Sequence, residues 1–164
     1  MIVYRNKNIL IRTSIYSDAE YIAKHMRRRD IEEIWASHEH IPIQSLTIGL
    51  EKSDICLTGL IDNEPVVMFG IVKMNEETGS IWLLGTDRII EARRHFMEIS
   101  KKFIRFFLQM YPNLCNCVHV NNLKSVVWLR KCGAKIEDAR SLGKHGELFH
   151  FFSLQEDSYC QEVA

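Results

Sequence analysis

The chain has 164 residues, 46% hydrophobic and 26% charged, with 21 Lys+Arg against 21 Asp+Glu. That length and balance describe one ordinary globular domain and exclude long disorder. A zero net charge also argues against a broad grip on nucleic-acid phosphates.

No apolar run approaches the roughly 18 residues of a membrane span. Residues Met1 to Lys7 lack the apolar core of a signal peptide, so a cytoplasmic protein is expected. The five cysteines are Cys56, Cys115, Cys117, Cys132 and Cys160. Their odd number, with three inside apolar runs, reads as buried reduced thiols. Cys115 and Cys117 would put both sulfurs on one strand face, but there is no CxxC pair or HExxH, and no metal is expected. His38 and His40 flank Glu39 in a polar stretch and read as loop histidines.

Ile9 to Thr13 reads as a strand. Ser17-Asp18-Ala19-Glu20 then matches a capping box, followed by Ala19, Ile22, Ala23 and Met26 at helical spacing. Arg27-Arg28-Arg29 falls at that helix's end, where cations suit the dipole; a nucleic-acid contact is the sharper reading. Asp30-Ile31-Glu32-Glu33 repeats the capping pattern before Ile34-Trp35. Pro42 fits a first helical turn. Ile55 to Ile61 is a strand, Asp62-Asn63-Glu64-Pro65 a turn, and Val66 to Met74 a second strand. A third runs from Ser80 to Gly85 and completes an antiparallel meander.

The most regular helix follows. Phe96, Ile99, Phe103, Phe106 (with Phe107) and Met110 step by three or four as its apolar face, of which Phe96, Ile99, Phe103 and Phe106 should pack on the sheet, and Pro112 ends it. Leu114 to Val120 is a strand. Asn121 or Asn122 can cap a helix that stops at Gly133. Two short strands remain, near Ala134 to Asp138 and Glu147 to Leu154, and a flexible tail is expected from about residue 155. A strand, long helix and strand need a crossover, so the strands near 80–86 and 114–120 should be parallel neighbours.

This order resembles the fold of the GNAT acetyltransferases. Asn122-Leu123-Lys124-Ser125-Val126-Val127-Trp128-Leu129-Arg130-Lys131-Cys132-Gly133-Ala134 is similar to the GNAT segment N-x-x-A-x-x-x-Y-x-K-x-G-F. The resemblance implies an α/β (α+β) domain over 1–164, with a mixed, mostly antiparallel sheet of about seven strands flanked by helices. Ser17 to Ala23, Glu33 to Ser37, Pro65 to Gly70 and Trp82 to Asp87 further resemble a phage and prophage family. That family is related to a small internal virion protein of short-tailed coliphages. It implies other phage proteins as partners, a place in the bacterial host's cytoplasm and association with the virion.

In the GNAT resemblance, acetyl-CoA diphosphate meets a glycine-rich loop opening the long helix. Here that loop falls on Ile90 to His95, without glycine, leaving Arg93 and Arg94 as phosphate contacts or as solvated side chains. Leu84 and Thr86 are the implied backbone contacts to the pantetheine arm, with Asn122 beside it. Asp87 is the implied general base, or else the cap of the turn that follows. The implied acid, a tyrosine, is replaced by Leu129, with Trp128 pointing elsewhere on the helix. Two functions follow. The first is a binding or virion-assembly protein with a degenerate acetyl-CoA site. The alternative is an active acetyl-CoA-dependent N-acetyltransferase.

Overall fold

The computed structural model describes residues 1–156, so Cys160 and nearly all of the expected tail lie outside the described residues. The chain opens with strands β1 (Ile2–Asn6) and β2 (Ile9–Thr13). Helices α1 (Tyr16–His25), α2 (Arg28–His38) and α3 (Pro42–Lys52) follow. The meander is β3 (Ile55–Ile61), β4 (Glu64–Lys73) and β5 (Thr78–Gly85). A 3-10 helix (Asp87–Ala92) leads into α4 (Arg93–Met110), β6 (Asn113–His119) and α5 (Leu123–Lys131). The last strands are β7 (Lys135–Ile136), β8 (Arg140–Leu142) and β9 (Glu147–Gln155).

All strands join one mixed sheet in the order β1-β2-β3-β4-β5-β6-β9-β7, with β8 also on β9. Only β5 and β6 are parallel. The described residues hold nine strands rather than about seven. The two extra strands are β1, an edge strand with mostly exposed side chains, and the three-residue β8; neither carries an apolar alternation that sequence can register.

The sheet is covered on both faces. α4 and α5 pack on one, with Ile99, Ile104, Phe107 and Leu129 against Ile11, Phe69 and Leu114. α1, α2 and α3 pack on the other, with Ile22, Ile34 and Leu46 against Met68 and Leu84. Gly49 makes one such approach close. A Cβ there would sit 2.5 Å from the Trp82 ring.

Several local expectations shift. α1 begins at Tyr16, not after Ser17. Asp18 is the capping carboxylate and accepts from the Ile15 N–H at 3.0 Å. The same buried carboxylate holds Arg12 at 2.6 Å and accepts from the Thr58 hydroxyl at 2.8 Å, which ties α1 to β2 and β3. Arg28 and Arg29 open α2 rather than close α1, and both pair with Glu32. Asp30 therefore lies inside the first turn of α2 and caps nothing. The β3–β4 turn is Asp62-Asn63 alone, both at positive φ, so Pro65 enters β4 beside a bulge.

On α4, Ile99 is buried and Phe96, Phe103 and Met110 pack against the core as expected, and Phe106 alone of the expected face turns outward. Ile99, Ser100, Ile104, Phe107 and Leu108 face inward, whereas Phe106 is 42% exposed and Phe107 only 3%. Both phenylalanines satisfy helical spacing, and only the sheet decides between them. Phe107→Ala should therefore cost about 3–5 kcal/mol in urea unfolding. Phe106→Ala should cost under ~1 kcal/mol, within the range of ordinary surface changes. Equal losses would contradict this packing.

Candidate functional site

β5 and β6 share a ladder only where Thr78–Ser80 lie opposite Asn113–Cys115. Beyond Ser80 the strands part. Asn116 spans the start of the gap, its Nδ2 donating to the Ile81 carbonyl at 2.7 Å.

Register decides which backbone groups meet that gap. The Thr86 N–H donates to Val66 at 2.8 Å, so by antiparallel alternation Leu84 bonds Met68 in the same way. Ile81, Leu83 and Gly85 point their backbone groups the other way. The Ile81 carbonyl is taken by Asn116. The Gly85 N–H donates to Asp30 at 3.0 Å, and its carbonyl accepts from the Arg27 N–H at 2.9 Å. Leu83 lies between them and presents its N–H and C=O to the gap.

The open ends of the two strands are held by α2. Asp30 and Glu33, three residues apart, share one face of that helix. Asp30 grips the end of β5 through Gly85. Glu33 Oε2 accepts from the His119 N–H at the end of β6 (2.8 Å) and from Asn122 Nδ2 (3.1 Å). His119 Nδ1 accepts from the Asn121 N–H at 3.1 Å, leaving the Nε2 proton to point at Glu147, 2.5 Å away.

The two carboxylates differ in their neighbours. Asp30 is paired with Arg27 at 2.8 Å. Glu33 has no cationic partner of that kind among the described residues. Burial raises its carboxyl from 4.5 to about 7, against the opposing pull of its two hydrogen bonds. Cys117 shares this environment, and burial with the nearby Glu33 pushes its thiol up to about 11, so it stays protonated and unreactive near neutrality.

A cavity of about 450 Å³ passes through the gap and reaches both faces of the sheet. On the α2–α3 face its mouth carries Ser37, His38, His40, Ser45 and Lys52. At the gap it is lined by Glu33, Asn116, Cys117, Asn122 and Trp128.

The structure separates the residues that sequence had grouped. Leu84 and Asn122 line the cavity. Leu84's backbone is spent on β4, however, and Asn122's amide on Glu33 instead of capping α5. Thr86 is buried with its hydroxyl unpartnered, and its amide is bonded to Val66. Asp87, Arg93 and Arg94 are exposed and lie outside the cavity lining. Trp128, expected to point away, lines the cavity instead. It stacks on Phe96 at 5.7 Å and donates to Ser100.

Glu33 was legible only as half of a capping pattern. A carboxylate just ahead of an apolar pair was the one signal available, and its partners lie 86 and 89 residues further along the chain.

Coenzyme A fits this site at one end. The gap and the Leu83 backbone suit a pantetheine arm, which carries amides. The diphosphate end does not fit. Residues 87–92 are wound into a 3-10 helix, and the Arg93 N–H is bonded to Ile90 instead of being free for an anion. Arg88 is held by Glu64 and Glu91. The exposed side chains of Arg93 and Arg94 still lie at the start of α4.

No known family model matches the chain, and no curated protein matches it. Solved structures do. A GNAT-family acetyltransferase from Bacillus anthracis superposes with a TM-score of 0.70 at 13% identity, covering 96% of this chain and 99% of its own. A spermidine N-acetyltransferase from Vibrio cholerae, in complex with CoA and spermine, gives 0.67 at 12%, covering 94% and 99%. A probable GNAT acetyltransferase from Chromobacterium violaceum gives 0.70 at 12%, covering 95% and 92%. At such identities the likeness establishes the fold, which is the GNAT fold, and leaves activity to the site.

The Glu33 environment makes a prediction about stability. A carboxyl whose folded pKa lies above its unfolded value holds its proton longer in the folded state. Its contribution is therefore most favourable below pH 4.5 and is lost as pH rises to about 7. The loss is on the order of 3 kcal/mol at most. Urea unfolding at pH 5 and pH 8 should show wild type losing stability relative to Glu33→Gln as pH rises. Parallel behaviour of the two proteins would contradict the assignment.

Proposed function

We propose that this chain is an N-acyltransferase that moves an acyl group from a thioester to an amine inside the β5–β6 gap, with Glu33 as general base. The observation that carries the proposal is Glu33 itself. It is a cavity-lining carboxylate with a pKa near the working pH, fixed by two donors at the open end of the gap, beside the end of β6.

The chemistry a bound thioester supplies is an acyl carbon whose bond to sulfur breaks as the bond to nitrogen forms. Glu33 accepts the proton that the attacking amine must lose. His119 and Asn122 hold Oε2 of this cavity-lining carboxylate. Leu83 orients the donor arm through its backbone amide and carbonyl. Leu129 stands where the resembling GNAT segment has tyrosine, and it is buried without a proton to give. A thiolate leaves adequately without an acid, so positioning supplies much of the rate. The acceptor reaches the gap from the α2–α3 mouth, where polar side chains receive it.

A second reading keeps the scaffold for binding alone, and the 3-10 helix in place of a diphosphate cradle favours it. The comparisons lend no support to a virion-assembly role or a phage relationship. No helix of the described residues is long and apolar enough to cross a membrane.

Thiol release from acetyl-CoA in the presence of a panel of primary amines tests the proposal. Turnover should rise with pH through about 7 and then level, following ionised Glu33. Glu33→Gln should lower kcat by about 10²–10⁴ and abolish that inflection. Acetyl-CoA should bind only at about millimolar concentration. Turnover that Glu33→Gln leaves intact would remove Glu33 from the chemistry, and no turnover with any amine would favour binding alone.

A further inference from the structure

The cavity is far larger than an acetyl group requires. An engineered cavity of about 150 Å³ holds a benzene ring, so about 450 Å³ has room for roughly three times as many carbons. The lining reaches well beyond the gap. It runs beneath α4 across the sheet, past Val67 and Phe69 on β4 and Ile61 on β3, to Ile9 and Ile11 on β2. Neighbouring strands lie about 4.8 Å apart, so the path from β6 to β2 is roughly 19 Å. That is the shape of an extended chain rather than of a ring or a compact solute.

Polar side chains line the cavity at the gap, at the α2–α3 mouth and, on α4, at Ser100. Glu33, Asn116, Asn122 and Ser125 line the cavity near the gap, whereas its lining side chains from β4 to β2 carry no polar atom. An apolar cavity of this size destabilises a fold in proportion to its empty volume, so a ligand that fills it also stabilises the protein. The loop ahead of α4 gives a second, independent observation. Its amides are wound into a 3-10 helix, so little affinity comes from a nucleotide diphosphate. A long acyl chain needs no such grip, because each buried methylene strengthens binding about three- to fourfold.

We infer that the cavity takes the unbranched acyl chain of a fatty-acyl thioester, of about eighteen carbons at most by the volume comparison, since the gap and the α2–α3 mouth share that volume. The chain lies beneath α4 and its carbonyl sits at the gap near Glu33 and Asn116. Its role as acyl donor rests on the acyltransferase reading, whereas the binding site itself does not.

Calorimetric titration with N-acetylcysteamine thioesters of graded acyl length, which carry no charge and no diphosphate, tests the inference. Kd should fall about three- to fourfold per added methylene and level off near the length that fills the cavity. Ile11→Phe, at the far end, should shorten that limiting length by a few carbons and leave the shortest thioesters unaffected. The wild-type series decides the matter even if that variant does not fold. Equal affinity for acetyl and long-chain thioesters would overturn the inference. The same thioesters, offered with amines, separate the two proposals. Chain-dependent binding without transfer of any acyl group supports the cavity assignment and overturns the acyltransferase. Acetyl transfer with chain-independent binding does the reverse.

Discussion

Two carboxylates on one helix face make the parted sheet stable. A parallel pair that separates after three residues leaves amides at both free ends, and buried amides must be satisfied. Asp30 takes the Gly85 N–H and Glu33 takes the His119 N–H, so α2 closes across the ends that the ladder abandons. The same brace keeps the gap open, because each strand end is bonded to the helix and not to the other strand. Arg27 pairs with Asp30 and ties that half of the brace to the start of α2. Burial raises both carboxyls, Asp30 against the pull of Arg27 and Glu33, without such a partner, to about 7.

Much of this fold was legible because it rests on local patterns. Ile55–Ile61 was bounded to the residue as a strand ahead of the turn that follows. The parallel neighbours were inferred from connectivity alone, since a strand–helix–strand crossover admits little else. Errors arose where two neighbouring residues met the same rule. Phe106 and Phe107 both suit a helical stripe, and Ser17 and Asp18 both suit a helix start. In each case a distant partner decided: the sheet for Phe107, and Arg12 with Thr58 for Asp18.

The site was less legible for the same reason. Leu84 and Thr86 were one residue out of phase with the backbone that faces the gap, and in a strand one residue exchanges the two edges. Glu33 could not be read from its surroundings in sequence, where it looks like an ordinary first-turn acid. Its raised pKa comes from burial, opposed by hydrogen bonds from His119 and Asn122, and a different part of the chain delivers those donors. Sequence pattern encodes which face is buried. It does not encode which buried carboxylate lacks a cation.

Two departures from the GNAT pattern, read separately, look like simple losses. Residues 87–92 lack the glycines that let a backbone wrap a diphosphate, and Leu129 replaces a tyrosine. In the folded chain both exchange polarity for apolar surface along one wall of the same cavity. The 3-10 helix bonds its own amides and turns Ile89 inward, where it joins the core and lines the cavity. Leu129 lines it too, and Trp128 lies over Phe96 beside it. A site altered in this way no longer draws affinity from anion–amide contacts, which are strong only where amides are free. What remains is apolar burial, which is non-directional and grows with the area covered. Orientation must then come from the few polar groups left at the gap. Leu83, Asn116 and the Glu33 brace stand there, where the proposed acyl transfer would place its reacting atoms.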